Sequence, residues 1–503
     1  MARIAVIGAG MGAMAAAARL AVAGHRVAVY ERTETYGGAV RRFERDGFSF
    51  DTGPGLLTLP AVYRDLFVKT GKRPLEDVVE LVQVDPSARH VFADGTRVSL
   101  PNASRAGVVT ALDEALGAGA GQRWGDFLVR AREAWDRTRR PLLEEPLWPN
   151  WQVLAEQEPY PAVPHKRLLR TRRARTLAEV GAWELRDERL ADLLGGHALA
   201  YGLDPRRAPA SAAVLPYMEH AFGTWYVRGG LRELARAVYE RCVERRVEFV
   251  FGAEVTGIVE KDGRAAGVEL AGGTVAEADH VVADLDPAGL RALTERPLDA
   301  ESDVRPDPVA PPAGRFGLLL ALRGGREADA AHRTVVHAPD TRRELDLLVS
   351  AGGDAPVCPT VTVLRPDDAA LRPDDAHESV VVSATVPARA GWESRDTVRA
   401  YTDFLLEAAG RAVPGLRERL LWHEARTPAD TGAETGSGAG SVPAPALAAG
   451  GGRFLHPANT TRLPGLYRVG GWSHPGGGLA HAGMSGALVA GLIVEGPDFR
   501  GSQ

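Results

Sequence analysis

Cysteine is nearly missing from this chain: only Cys242 and Cys358 occur in 503 residues. Two thiols build neither a disulfide framework nor a Cys-based metal cluster, and such usage fits a reducing cytoplasm. Lysine is almost as scarce, confined to Lys69, Lys72, Lys166 and Lys261. A formal charge of −5 gives no electrostatic reason to expect a nucleic-acid partner. No apolar run reaches about 18 residues, so none reads as a membrane-spanning helix, which leaves peripheral membrane contact open. The N-terminus enters a strand at once and reads as carrying no signal peptide. What is there, 45% hydrophobic and 25% charged residues, has the balance of a globular protein and the length for two or three units.

The informative features are two glycine-rich turns at opposite ends. Arg3 to Gly8 is an apolar run ending in glycine, Met11 to Ala23 reads as a helix of small residues, and Arg26 to Tyr30 reads as a second strand. Gly8-Ala9-Gly10-Met11-Gly12-Ala13 between them is a dinucleotide-binding turn, with Ala13 as the small third residue needed for close helix–strand packing. Glu31 ends the second strand, where a carboxylate accepts ribose hydroxyls and repels a 2′-phosphate. That favours FAD or NAD over NADP. Near the C-terminus, Gly470-Gly471-Trp472-Ser473-His474-Pro475-Gly476-Gly477-Gly478 runs into an apolar helix, Ala482 to Val494. Each turn offers backbone N–H groups and a positive helix end to an electron-rich group.

Between the turns, Leu66 to Arg207 reads as mostly helical, broken by a hairpin at Ala88 to Leu100 around Asp94-Gly95 and by a Pro-rich passage from Pro141 to Pro164. Leu231 to Arg245 is an amphipathic helix. Short strands follow at Val247 to Phe251, Glu254 to Glu260, Arg264 to Leu270 and Val281 to Ala283. Arg305 to Ala313 reads as a connector. Phe316 to Leu322, Thr334 to His337, Thr360 to Leu364 and Val380 to Ala384 suggest a second sheet, and Thr397 to Ala412 a helix. Thr431 to Gly452, rich in Gly, Ala, Ser and Pro, reads as a loop.

A second glycine pair, Gly37-Gly38, with Val40-Arg41-Arg42 and Phe50-Asp51-Thr52-Gly53-Pro54-Gly55, makes the signal more specific. Val6 to Leu66 resembles the opening of the phytoene desaturase (carotenoid desaturase) family of FAD enzymes, itself similar to flavin amine oxidases. The resemblance resumes at Pro209-Ala210-Ser211 through Leu231, at Glu254-Val255 to Ala283-Asp284, and from Arg426-Thr427-Pro428 to His474-Pro475-Gly476. It implies an α/β fold: a doubly wound, Rossmann-type FAD-binding domain with an inserted substrate domain of mixed sheet plus helices, in an amine-oxidase-like architecture. The implied division is 1–70, 225–290 and 426–503 for FAD, 71–224 for a mostly helical substrate- or membrane-facing region, and 291–425 for the substrate sheet.

By that resemblance, Gly8, Gly10, Met11, Gly12, Ala13, Glu31 and Arg32 hold the ADP half of FAD. Gly37, Gly38, Val40 and Arg41 lie along the diphosphate and ribityl chain, and Val255 meets the adenine. Gly53, Pro54 and Gly55 pass close to the flavin, and Gly471, Trp472, Gly478, Leu479 and Met484 meet its ribityl chain and ring edge. Two departures stand out. Ala39 replaces the Arg usual after the glycine pair, and Gly471 stands where amine oxidases carry an acid; the second favours the desaturase branch. The implied activity is desaturation of an apolar polyisoprenoid by hydride transfer to the flavin, with oxygen or a quinone as electron acceptor. The rivals are oxidation of an amine or other metabolite, a flavin-dependent isomerase, and a prenyl-binding escort without redox chemistry. None of the lysines falls in 300–425, which weakens the amine reading.

Other positions keep two readings each. His474 and His481 are proton-transfer candidates or hydrogen-bonding spacers. Trp225, Arg228 and their neighbours line a substrate tunnel or belong to the core. The run Lys166, Arg167, Arg170, Arg172, Arg173 and Arg175 docks on anionic lipid or is a solvated face.

Overall fold

The opening apolar run forms the strand Arg3–Ile7, whose last four residues are buried. Helix Met11–Val22 crosses over, and Arg26–Glu31 returns parallel to the first strand with Arg3 opposite Arg26 and Ile7 opposite Tyr30. The computed structural model describes residues 1–147, 151–164, 170–294, 297–299, 313–350, 356–389 and 391–501. In it, a five-stranded parallel sheet runs in the order Glu248–Phe251, Arg26–Glu31, Arg3–Ile7, His280–Ala283 and Leu466–Arg468. This α/β sheet, assembled from both ends and the middle of the chain, bears out the expected fold class. Helix Met11–Val22 packs on the C-terminal helix Leu479–Val494, where a Cβ on Gly486 would lie 2.6 Å from the Gly12 carbonyl.

The second sheet has seven strands, in the order Leu420–Arg426, Ala313–Arg323, His377–Pro387, Val361–Leu364, Arg333–Val336, Ala88–Val91 and Arg97–Leu100. Successive side chains alternate between its faces. Phe316, Leu318, Leu320, Val380 and Val382 pack against Tyr401 and Leu405 of helix Arg395–Gly410. The opposite, inner face carries Leu319, Val335, Leu364 and Arg333, and looks toward Gly55 and the helix Val214–Phe222. A helical layer that includes Ala120–Arg139 and Glu188–Leu199 shares one core with Leu59 and Ala480, so it abuts both glycine-bearing ends of the chain.

Three differences from the sequence reading are instructive. The hairpin at Ala88–Leu100 is not an isolated break in the helical stretch: it joins the second sheet through parallel pairing of Arg89 with Thr334. The strand Leu420–Arg426 was not anticipated, because its residues show no clean apolar–polar alternation. Thr431 to Gly452 is not all loop. Helix Pro428–Thr435 begins on a capping box in which Thr427 and Asp430 satisfy each other's backbone N–H, with Pro428 in the first turn. Those start signals lie upstream of Thr431, and composition alone masked them. Trp148, Lys166, Arg167 and most of the Arg305 to Ala313 connector lie outside the described residues.

Candidate active site

The two glycine turns meet. A Cβ on Gly12 would lie 2.8 Å from Gly470 Cα, 2.9 Å from Gly470 N and 3.0 Å from the Ala482 carbonyl, so only glycine permits this contact. Gly37 donates its N–H to the Ala9 carbonyl at 2.7 Å, and a Cβ on Gly38 would lie 3.1 Å from Gly10 Cα. Gly8, Gly10, Met11, Gly12, Ala13, Gly37 and Gly38 thus form one glycine-lined floor. Gly10 and Gly478, the N-cap residues of the helices Met11–Val22 and Leu479–Val494, provide no side-chain cap, and neither helix has an acid in its first turn. Neither helix N-terminus has a cap from its own N-cap residue; Asp284 reaches the Ala13 N–H of the first, and the other N–H donors with their positive partial charge lie in one region.

At one edge of this floor, Glu31 accepts the Ala9 N–H through Oε2 at 2.9 Å and the Thr33 N–H through Oε1 at 2.9 Å. Ala253 donates to the Glu31 carbonyl at 2.9 Å, which starts the strand bearing Val255 beside it. Arg41 donates to the Gly38 carbonyl at 2.9 Å and to the Glu434 carbonyl at 2.9 Å, and Arg32 donates to the Ala433 carbonyl at 2.6 Å. Both guanidiniums lie at the C-terminal turn of helix Pro428–Thr435, where carbonyl groups attract cations. Val40 is buried, and its carbonyl accepts from Arg232 at 3.0 Å.

Four side chains that sequence reasoning did not assign hold these turns. Arg232 stacks over Tyr36 at 4.0 Å and fixes the Gly37 segment from the first turn of helix Leu231–Glu244. Asp51 accepts the Leu231 N–H at 2.6 Å and the Arg232 N–H at 3.2 Å; burial pushes it up to about 6 against those donors. Asn459 donates to the carbonyls of Arg468 and His474 and so ties the C-terminal turn together. Asp284, directly after the strand His280–Ala283, sits where a Cβ on Gly10 or Gly470 would collide with its carboxyl. Burial raises Asp284 to about 7, opposed by the Ala13 N–H and reinforced by Glu31. The only sequence signal for Asp51 and Asp284 was their place at strand ends.

At the other end, Gly53 packs on Ala39, exposed Pro54 follows, and Gly55 lies against Leu364 of the inner sheet face. Gly471 packs on Pro443, with a would-be Cβ 2.8 Å from Cγ, and Trp472 is half-buried. The Leu479 carbonyl accepts the Tyr63 hydroxyl at 2.8 Å, and Met484 packs on the helical core. His481 is buried and held neutral, lowered to about 4 by desolvation. His474 is fully buried, and its Nε2 lies 2.9 Å from the Glu145 carbonyl, a donor role that fixes the loop. Trp225 lies in the strand Trp225–Val227 with its Nε1–H on the Phe222 carbonyl at 2.9 Å. Arg228 is exposed and pairs with Glu80 at 3.3 Å, so it stands outside this enclosed region.

The donor set suits an anionic dinucleotide: a glycine floor, two adjoining helix N-termini, and the Glu31 carboxylate at its edge. Residues 14–494 match the family of flavin containing amine oxidoreductases. The chain belongs to that family. Its cofactor class is a flavin, and it is a flavin-dependent oxidoreductase. Among its relatives, the hydroxyneurosporene desaturase of Cereibacter sphaeroides is 32% identical and aligns over 98% of this chain and 97% of its own. The 4,4'-diapolycopene oxygenase of Methylomonas sp is 30% identical with 98% of both chains aligned. The resemblance to the carotenoid desaturase family seen in the motifs therefore extends along the chain. Solved structures share the fold: putrescine oxidase bound to putrescine at TM-score 0.65 and 14% identity, over 98% of this chain and 99% of that one, and an oxidoreductase from Methanosarcina mazei at 0.64 and 18%, over 97% and 99%. Among the described residues, no helix is long and apolar enough to cross a membrane.

Proposed function

We propose that this flavoprotein is an FAD-dependent desaturase that introduces C=C bonds into an apolar polyisoprenoid of carotenoid type. The observation that carries the reading is the contact of Gly12 with Gly470, which brings two helix N-termini together at one site. On this reading Gly8, Gly10, Met11, Gly12, Ala13, Glu31, Arg32 and Val255 hold the ADP half. Gly37, Gly38, Val40 and Arg41 follow the diphosphate, and Gly53, Pro54, Gly55, Gly471, Trp472, Gly478, Leu479 and Met484 surround the flavin end. Segments 1–70, 225–290 and 426–503 then form the cofactor unit, with 71–224 and 291–425 on the substrate side.

When bound, the flavin supplies a two-electron acceptor for hydride from an allylic C–H. The chain's own contribution is positioning and exclusion of water. Val335 and Leu364 on the inner sheet face offer an apolar wall, and the helix end at Gly478 stabilises negative charge without a titrating side chain. Oxygen or a quinone would take the electrons, and peripheral contact with a membrane would deliver the substrate.

The names of the relatives support the substrate class, and the hydroxyneurosporene desaturase supports desaturation. The 4,4'-diapolycopene oxygenase favours a second reading, oxidation of a terminal carbon. The test incubates FAD-loaded protein with liposomal phytoene or neurosporene under air and with a quinone. Longer-wavelength conjugated absorbance is expected. A loaded, reoxidisable flavin that yields none rejects desaturation, and products gaining oxygen mass select the second reading.

A further inference from the structure

The inner face of the seven-stranded sheet changes character at one edge. Leu319 and Leu364 give way to Arg333, His90 and His337 on or just after the strands Arg333–Val336 and Ala88–Val91. Facing them are Glu219 on helix Val214–Phe222 and His197 on helix Glu188–Leu199, and Tyr201, just beyond that helix, lies within electrostatic reach of Glu219 and Arg333. Glu219, His197 and Arg333 lie deep between helices and sheet, yet each keeps 16 or 17% of its side-chain surface accessible.

The hydrogen-bond inventory of this cluster does not close on itself. Arg333 grips Glu219 through both guanidinium ends, one contact measuring 3.1 Å, and donates its Nε–H to the Ser87 carbonyl at 2.9 Å. His197 Nδ1 donates to the Leu193 carbonyl at 2.9 Å, which leaves Nε2 an acceptor in the neutral ring. That nitrogen lies 3.9 Å from Glu219 Oε2, another acceptor. Desolvation lowers the His197 pKa, so the ring does not readily supply the missing proton. The gap is too wide for a direct hydrogen bond and suits a donor placed between the two. The Tyr201 hydroxyl has no hydrogen-bond partner among the described residues. Its ring lies 3.8 Å from where a Cβ on Gly478 would stand, which links the cluster to the flavin-facing turn.

Resting on the desaturase reading, we infer that Glu219, His197, Arg333 and Tyr201 form a recognition site for a hydroxyl group on an otherwise apolar substrate. The hydroxyl donates between His197 Nε2 and Glu219 Oε2, and its oxygen accepts from Tyr201 or Arg333. An unfunctionalised hydrocarbon leaves these groups without that partner, and a site built to bond a hydroxyl discriminates strongly against the analogue that lacks it.

The experiment compares two carotenes that differ only in a terminal hydroxyl, using FAD-loaded enzyme. The expected result is a kcat/KM preference of about a hundredfold for the hydroxylated substrate. Glu219→Gln and Tyr201→Phe should each reduce that ratio below about tenfold, with flavin content and melting temperature confirming a folded holoenzyme. Equal rates on both carotenes, or a ratio unmoved in the folded variants, overturns the inference; Tyr201→Phe is decisive if Glu219→Gln does not fold. If neither carotene is turned over, the desaturase reading fails, and perturbation of the flavin absorbance by each carotene decides this point separately. Tighter binding of the hydroxylated compound sustains the site, and equal affinities exclude it.

Discussion

Asp284 is the residue whose chemistry most constrains the glycine floor. Its carboxyl is enclosed against Gly10 and Gly470, and burial beside Glu31 holds it near 7. A folded-state pKa above the ordinary carboxylate value means that its contribution to stability is whole at acid pH and lost as pH rises through 7. The charged form also repels the diphosphate of the proposed cofactor. Asp284→Asn should therefore tighten flavin binding at pH 8 by about tenfold and flatten its pH dependence between 6 and 8, read by flavin fluorescence titration. Equal pH slopes in both proteins would contradict this. His474, by contrast, is a fastener: its imidazole is committed to the Glu145 carbonyl. His474→Ala should cost about 1–3 kcal/mol of stability through that buried carbonyl. Its kcat–pH profile should match wild type, and loss of an ionisation from that profile would restore the proton-transfer role.

Among elements, the pairing of helices Met11–Val22 and Leu479–Val494 decides whether a cofactor site exists at all. The closeness depends on Gly12 and Gly486, where side chains would strike backbone atoms of the opposite segment. Gly12→Val should overpack this junction by about 1–3 kcal/mol or more, lowering the denaturant midpoint and the flavin content together. Retained flavin at wild-type stability would show that the two turns do not need this contact. Helix Pro428–Thr435 has a supporting part, since its last carbonyls receive Arg32 and Arg41. Through it, the segment that looked like a loop braces the floor on which Gly38 lies.

At the scale of the molecule, the five-stranded sheet draws strands from residues 3–31, 248–283 and 466–468. A ligand held across that sheet can bind only when all three segments are in place. Loading with FAD at about 100 times its Kd should therefore stabilise the chain by about 2.7 kcal/mol in one cooperative transition. Calorimetry that moves only part of the unfolding endotherm would show that the segments do not act as one unit.

Much of this architecture was legible in the chain itself. The βαβ start, Glu31, the amphipathic helix Leu231–Glu244 and most strands of the second sheet follow from local periodicity and turn chemistry, which act over a few neighbouring residues. The paired glycine turns and their family resemblance were also written locally, as spacing. Only the tertiary structure decided that Gly12 touches Gly470, that Ala88–Val91 joins the distant Arg333–Val336, and that Asp284 is enclosed in the glycine floor. It also brought Glu219, His197 and Arg333 together, because burial and contact between far-separated segments come from the closing of the chain and leave no periodic trace in it.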